Sequence, residues 1–158
     1  MKRKFFAFIL LLSAGLSLSS CLSSDDDTNI EYTHDTAITA FSLGTMNRYY
    51  LGKTSDGTKD STYATTIAGS NYKFYIDQTA GKIYTADSLP VGTKISAALA
   101  SITAKQSSPL LWVLKGKYNK DSLAYYSSSD SVDFSKPKEI RVYNNDYSAY
   151  RTYTITVN

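Results

Sequence analysis

Hydrophobic and polar residues alternate with a period of two along most of the chain after residue 34, which predicts half-buried β-strands. The clearest alternation lies in the predicted strand 150–157, which places Tyr153, Ile155 and Val157 on one face and Thr152, Thr154 and Thr156 on the other. Two shorter alternating segments, 74–77 and 82–85, flank a turn and predict a hairpin. The same pattern predicts further strands at 38–43, 48–51, 63–67, 123–127, 131–135 and 139–143.

Two segments depart from this alternation. Leu110–Leu114 is a continuous apolar run, and it predicts a strand covered on both faces, with Trp112 in the core. In the segment 95–103, apolar residues recur at i, i+4 and i+7, which predicts a short helix or a turn-rich connection. A polar loop is predicted at 52–61.

Seven to nine short strands separated by turn residues indicate an all-β fold. We expect an antiparallel β-sandwich over residues 35–158, with one short helical connection. A small closed barrel is the alternative architecture. The sandwich suits the 14 tyrosines of the chain, because a tyrosine ring can cover a sheet face while its hydroxyl reaches water.

The first 20 residues have the organisation of a secretory signal peptide. Basic residues open the chain, eight apolar residues follow at 5–12, and small residues lead to Cys21. Eight apolar residues are too few for a membrane-spanning helix, which disfavours a permanent N-terminal anchor helix. The segment 18–21 resembles the bacterial lipobox, which implies that Cys21 becomes a lipidated N-terminus. A structural cysteine, the alternative, has no disulfide partner in this sequence.

An acidic segment follows the cysteine directly. It resembles the export tag that directs lipoproteins of the Bacteroidota to the outer face of the outer membrane. Polar and charged runs also behave as solvated tethers, so residues 21–34 are predicted to be a lipidated tether that ends in an exposed linker residue, His34. The tag residues are Ser24, Asp25, Asp26 and Asp27.

The charge and the reactive residues exclude several function classes. The formal charge is +3, but basic and acidic residues are equal in number once residues 1–20 are removed, so no nucleic-acid partner is expected. One histidine and one cysteine provide neither a metal site nor a nucleophile with its base. We therefore expect no catalytic residue, no metal and no cofactor.

A glycan-acting hydrolase with paired carboxylates is the enzymatic alternative. The available carboxylates lie in polar turns or on the outward phase of predicted strands, which favours solvated surface charges over catalytic groups. These residues are Asp121, Asp130, Asp133 and Glu139.

Exposed aromatic residues are the main candidates for function, because sheets bind sugar rings and protein partners through aromatic contacts. Two Tyr-Tyr pairs occur, and neighbouring side chains on a strand point to opposite faces, so one member of each pair is expected in the core. The candidate binding tyrosines are Tyr49, Tyr50, Tyr125, Tyr126, Tyr143, Tyr147 and Tyr150.

The dipeptides Asp-Ser and Asp-Thr precede a small or aliphatic residue five times, more often than the composition predicts. The pattern resembles the O-glycosylation acceptor of exported Bacteroidota proteins, whereas ordinary turn pairs before strands are the alternative. The surroundings of Thr36 and Ser61 are expected to be the most exposed. The candidate acceptors are Thr36, Ser61, Ser88, Ser122 and Ser131.

The C-terminal third resembles a known class of surface modules. Residues 131–137, 139–143 and 150–157 are similar to the closing strands of immunoglobulin-like or cadherin-like modules in Bacteroidota surface lipoproteins. This resemblance implies an immunoglobulin-like sandwich.

Three short motifs nearer the N-terminus, at 75–77, 83–84 and 87–93, resemble motifs of a narrower group of lipoproteins of unknown function. Longer members of that group continue into a C-terminal β-propeller. No propeller follows Val157 here, so the role of the propeller is not expected of this chain.

Together these features predict a lipid-anchored protein of the outer membrane that faces the cell exterior. Its immunoglobulin-like sandwich is expected to be non-catalytic and to bind a glycan or a surface protein. A glycan-acting hydrolase and a structural stalk, the remnant of a longer lipoprotein, are the alternatives.

Overall fold

Eleven β-strands make up the fold in the computed structural model, which describes residues 36–117 and 120–158. Helical structure within these ranges is limited to short 3-10 turns such as Gly69–Asn71 and Lys105–Ser107. The strands are β1 (Ile38–Leu43), β2 (Thr45–Lys53), β3 (Asp60–Ala68), β4 (Phe74–Asp77), β5 (Lys82–Thr85), β6 (Ala98–Ala104), β7 (Leu110–Leu114), β8 (Ser122–Tyr125), β9 (Ser131–Val132), β10 (Lys138–Tyr143) and β11 (Tyr150–Thr156).

The strands form a three-stranded sheet in the order β1-β6-β9, a six-stranded sheet in the order β4-β5-β11-β10-β7-β8, and a two-stranded β2–β3 ribbon. Every named pairing is antiparallel except that of β5 with β11. The predicted all-β sandwich and the predicted β4–β5 hairpin are therefore confirmed. The number of strands exceeds the expected seven to nine. The parallel β5–β11 pair also differs from the prediction, which was of a fully antiparallel sandwich.

The core lies between the three-stranded and the six-stranded sheets. β6 contributes Ala100 and Ile102 from one side, and β10 and β11 contribute alternate residues such as Ile140 and Ile155 from the other. Ile140 and Ile155 have no exposed surface. Burial of alternate residues is the period-two pattern that the sequence predicts for these strands.

β1 places two large residues in the core despite a break in alternation. A register shift against β6 occurs between Ile38 and Ala40, so Ile38 and Phe41 are both buried although they are three residues apart. Phe41 contacts Phe74 and Phe134 edge to face, at centroid distances of 4.7 and 6.1 Å. The bulge therefore lets β1 join the aromatic part of the core.

β7 is buried on both faces, as its apolar run predicts. Trp112 is 7% exposed, and its ring meets those of Tyr126 and Phe134 edge to face. Leu111 and Val113, on the opposite face, are buried as well. The assignment of Trp112 to the core is confirmed.

The helix predicted in the segment 95–103 is wrong, because Ala98–Ala104 forms β6. Two of the inward residues of β6 are Ala98 and Ala100, whose small side chains contribute little to a hydrophobic pattern. Leu99 produced the apparent helical spacing, yet it points outward and is 42% exposed. Pairing with β1 therefore overrides the local pattern.

Tyr153 of β11 connects three distant parts of the sandwich. Its buried hydroxyl donates to Gln78 Oε1 at 2.6 Å and accepts from the Ile38 amide at 3.3 Å. Gln78 Nε2 donates to the Ile38 carbonyl at 2.7 Å. The network joins β1, the β4–β5 turn and β11, and it satisfies backbone groups at the bulge.

The β2–β3 ribbon pairs over nine residues without a register shift. A turn at residues 90–93 attaches β2 to the segment that leads into β6. Gly92, with a φ of 87°, accepts a hydrogen bond from the Tyr49 amide at 2.9 Å, and the Lys94 amide donates to the Asn47 carbonyl at 2.8 Å.

The loop of the ribbon is shorter than the predicted polar loop, because β2 extends to Lys53 and β3 begins at Asp60. Asp56 holds this loop together. Its carboxylate accepts from Thr54 Oγ1 at 2.5 Å and from the Thr58 amide at 3.1 Å, and these bonds lower the pKa of Asp56 to about 2.

No helix in the described ranges is long and apolar enough to cross a bilayer. The N-terminal predictions fall outside those ranges. They comprise the signal peptide 1–20 and the tether 21–34, with Cys21, Ser24, Asp25, Asp26, Asp27 and His34.

Candidate functional site

A cluster of tyrosines lies on the outward face of the six-stranded sheet. Tyr143 on β10 pairs with Tyr150 on β11, and their ring centroids are 5.1 Å apart. Tyr147, in the turn between these strands, lies 5.4 Å from Tyr143. Tyr125 on β8 interacts electrostatically with the Tyr147 side chain, which extends the cluster to β8. We call these four residues the tyrosine platform.

Strand alternation explains why the platform is on this face. In β10 the side chains of Ile140 and Val142 enter the core, so Arg141 and Tyr143 point outward. Arg141 lies opposite Leu111 of β7, which in turn lies opposite the platform tyrosine of β8. The platform therefore spans four neighbouring strands, from β11 through β10 and β7 to β8, on one face of the sheet.

Arg141 adds a positive charge to the platform. Its guanidinium carbon lies 4.6 Å from the centroid of the Tyr150 ring, which is a cation–π distance. A hydrogen bond with the Tyr143 side chain raises the pKa of Arg141 above its ordinary value, so the guanidinium stays charged. Its Nε is buried and makes no hydrogen bond within the described part of the chain.

Tyr147 has a backbone conformation that tyrosine rarely adopts. Its φ is 60°, in the left-handed region, where a side chain with a Cβ costs about 1–2 kcal/mol. Its amide closes a tight turn by donating to the Asn144 carbonyl at 3.0 Å, and the Asn144 amide donates to the Ala149 carbonyl at 3.0 Å. Glycine or asparagine usually occupies such a position, so the turn by itself does not require a tyrosine.

The platform rings are accessible to a ligand. Tyr125 is 70% exposed, Tyr147 and Tyr150 are about half exposed, and Tyr143 is partly buried between them. The interaction with Tyr125 raises the pKa of Tyr147, because it stabilises the protonated phenol. The platform presents hydroxyl groups, apolar ring faces and one guanidinium. These groups can stack on a sugar ring and hydrogen-bond to its hydroxyls.

A groove of about 560 Å³ lies between the β7–β8 pair and the segment 130–139. Apolar residues such as Trp112 and Leu114 line part of it. Three of the four carboxylates considered for hydrolysis, Asp130, Asp133 and Glu139, also line the groove. These three carboxylates belong to one segment, 130–139, and the fold places that segment along one wall of the groove.

Two of the groove carboxylates, Asp133 and Glu139, have polar partners. Lys115 Nζ lies 2.9 Å from Glu139 Oε2 and 3.1 Å from Asp121 Oδ2, and the bond with Glu139 raises the pKa of Lys115. Hydrogen bonds from Ser135 lower the pKa of Asp133. A general acid in a glycosidase needs a raised carboxyl pKa, which is the opposite of the shift at Asp133.

Residues 41–157 match the family model described as "Domain of unknown function (DUF6242) N-terminal domain". The chain belongs to this family. The matched range begins within β1 and includes β2 to β11, so the platform and the groove are both parts of the DUF6242 domain. Comparisons with curated proteins and with solved structures found no match.

The other candidate tyrosines of the DUF6242 domain lie away from the platform. Tyr126 packs against the core, and its hydroxyl donates to the Ala100 carbonyl at 2.9 Å and accepts from the Ile102 amide at 3.0 Å. This placement is the one expected for one member of a Tyr-Tyr pair. The same expectation is wrong for Tyr49 and Tyr50, which are both exposed, because the ribbon has solvent on both faces there.

The candidate acceptor residues differ in accessibility, and all except Thr36 lie within the DUF6242 domain. Thr36 is only 3% exposed, so the expectation of exposed surroundings is wrong at this position, which is buried beside the start of β1. Ser61 is partly buried. Three are exposed, and their glycosylation stays a prediction: Ser88, Ser122 and Ser131.

Sequence reasoning missed two features of this surface. The sequence did not lead to Arg141 as a candidate binding residue, although its outward position in the predicted strand 139–143 could have indicated it. Tyr75 and Tyr84 form an exposed cross-strand pair on β4 and β5 with centroids 5.8 Å apart. Within residues 36–117 and 120–158, no three His, Cys, Asp or Glu residues form a group that could hold a metal ion.

Proposed function

We propose that this protein is a lipid-anchored cell-surface protein whose β-sandwich binds glycans without catalysing a reaction. The observation that carries this proposal is the position of Tyr147. A tyrosine in a left-handed turn position has a conformational cost, and its ring lies beside Tyr143 in an exposed aromatic cluster. Strain of this kind is concentrated at functional sites, and here it serves to complete the platform.

The ring geometry supports a glycan as the ligand. The rings of Tyr147 and Tyr150 are each tilted by 41° to the ring of Tyr143, so the surface is stepped rather than flat. Successive sugar residues of a glycan chain can stack on different rings of such a surface. The phenol groups and Arg141 then bond to sugar hydroxyls, and the guanidinium favours glycans that carry carboxylates.

We infer that the sandwich is immunoglobulin-like. In immunoglobulin domains the strands G, F and C are neighbours in one sheet, and A, B and E are neighbours in the other. The orders β11-β10-β7 and β1-β6-β9 fit these two sets. Trp112 on β7 fits the buried tryptophan of strand C. The segment β2 to β5 is then an insertion between the first two strands.

The membrane is the first partner in this proposal, and its support comes from the sequence. Acyl chains on Cys21 contribute about 0.8 kcal/mol for each buried methylene, so two or three chains anchor a protein stably. The acidic segment that follows supports display on the outer face of an outer membrane. Intact-mass analysis of the membrane-extracted protein is expected to show a chain that begins at Cys21 and carries acyl groups. A free Cys21 thiol with residues 1–20 still attached contradicts the anchor.

Binding of glycans by the full-length protein in a mild detergent tests the proposed function directly. An array of host and plant polysaccharides is expected to show at least one class of ligand, and titration calorimetry then measures its affinity. The hydrolase alternative predicts shortened oligosaccharide products in the same mixtures. The stalk alternative predicts no binding to any glycan, and that result would overturn the proposal.

A further inference from the structure

Among the strands that the structure describes, only β2 pairs with β3, so the other edge of β3 is unpaired over its whole length. All nine residues from Asp60 to Ala68 pair with β2, and within the described ranges no second strand pairs with β3. This edge presents backbone N–H and C=O groups that can pair with another extended strand.

In an antiparallel ribbon, alternate residues of each strand bond to the partner strand, and this alternation shows which backbone groups of β3 point outward. The Thr54 amide donates to the Lys59 carbonyl, so alternate residues of β3, starting with Ser61, bond to β2. On β2 the residues in the opposite phase, Asn47 and Tyr49, bond outward to the segment around Gly92, which agrees with this assignment. The β3 residues whose backbone groups point outward are therefore Asp60, Thr62, Ala64, Thr66 and Ala68.

The edge lacks the features that usually keep edge strands from pairing. β3 contains no proline and no lysine, and its register with β2 has no bulge. Its one charged residue, Asp60, lies at the end of the strand and forms an ion pair with Lys53 at 2.6 Å. The central part of β3 is therefore neutral and regular.

We propose that β3 pairs antiparallel with β3 of a second copy of the chain, around a two-fold axis at Ala64. This register is the one in which all five outward residues have partners, because 60 pairs with 68, 62 with 66, and 64 with its own copy. The two ribbons then form one four-stranded sheet. A two-stranded ribbon is marginally stable by itself, so the additional strands stabilise it.

The strand is complementary to itself in this register, which favours a second copy over a foreign strand. The two Asp60 carboxylates lie at opposite ends of the paired strands, so like charges do not meet. Thr62 faces Thr66, a favourable cross-strand pair. At the axis the side chain is the methyl group of Ala64, which permits close approach of the two backbones.

Disulfide cross-linking of the full-length protein tests both the pairing and its register. In an antiparallel pair, directly opposed residues have Cα atoms about 5.5 Å apart, which is within the range for a disulfide. Ala64→Cys is expected to give disulfide-linked dimers under mild oxidation. Thr62→Cys is the matched control, because it faces residue 66 of the other copy and not itself. The double variant Thr62→Cys, Thr66→Cys is expected to cross-link again.

The wild-type chain, whose single cysteine is Cys21, measures background cross-linking. Light scattering is expected to give a dimeric mass for the wild type and a monomeric mass for Ala64→Lys, which places two ammonium groups at the axis. A monomeric wild type without cross-linking of Ala64→Cys overturns the proposal, whether the edge is then covered by residues 1–35 or by a strand of another protein. Equal cross-linking of Ala64→Cys and Thr62→Cys also overturns it, because random collision then explains the dimers.

Discussion

Substitution of Gly92 by alanine is expected to lower the free energy of unfolding by about 3 kcal/mol or more. A Cβ at this position lies 1.8 Å from the Tyr49 carbonyl oxygen, and the φ of 87° is one that residues with a side chain rarely adopt. The clash is with backbone, so the turn at 90–93 must move away from β2. That movement breaks the hydrogen bond from the Tyr49 amide to Gly92. Urea unfolding of the full-length protein measures the loss.

Gly57→Ala is the matched control for this prediction. Gly57 also has a positive φ, of 73°, but within the described ranges no atom beyond its own chain neighbours lies within 4 Å of the position that a Cβ would take. Only the backbone cost applies there, and we expect a loss of about 1 kcal/mol. Equal losses for the two variants would show that the turn at 90–93 does not lie against β2 as the structure has it.

Tyr147→Gly is expected to separate glycan binding from stability. Glycine removes the strain of the left-handed conformation, while the lost ring contacts act in the opposite direction, so the free energy of unfolding should change by no more than about 1 kcal/mol. Loss of an aromatic contact at the centre of a binding surface costs more than about 1.4 kcal/mol, which is a tenfold loss of affinity. Calorimetry with the glycan found on the array measures the affinity.

Tyr75→Ala is the control for Tyr147→Gly. Tyr75 is an exposed tyrosine that contacts a second tyrosine on the same sheet, but it lies on β4, away from the platform. Its substitution should leave glycan affinity unchanged. Equal losses of affinity for the two variants, or no loss for Tyr147→Gly, would place the glycan site somewhere other than on the platform.

Local sequence pattern predicted those strands in which large apolar residues alternate with polar ones. The segment 150–157 is the clearest case, because Tyr153, Ile155 and Val157 point inward while Thr152, Thr154 and Thr156 point outward. The same pattern did not predict β6, because its inward residues include the small Ala98 and Ala100 whereas Leu99 points outward. A hydrophobic pattern depends on the size of side chains as well as on their direction. A strand whose inward residues are small therefore shows no clear alternation.

The sequence predicted the tyrosines of the candidate site but not which of them lie together on one surface. The sequence nominated Tyr143, Tyr147 and Tyr150 together with tyrosines that lie elsewhere, such as Tyr126 in the core. Sequence distance gave no indication that Tyr125, on β8, would reach Tyr147. That contact depends on β7 lying between β8 and β10, a pairing between segments that are far apart along the chain.

The sequence by itself determined the class of fold, the burial of Trp112 and most of the strands, because these follow from the alternation of side chains within one segment. Only the tertiary structure decided which strands are neighbours. In the part of the chain that the structure describes, strand pairing set the parallel contact of β5 with β11, left one edge of β3 unpaired and assembled the tyrosine platform. The physical reason is that backbone hydrogen bonds between strands are nearly independent of residue identity, so the choice of partner depends on how all strands together bury one core.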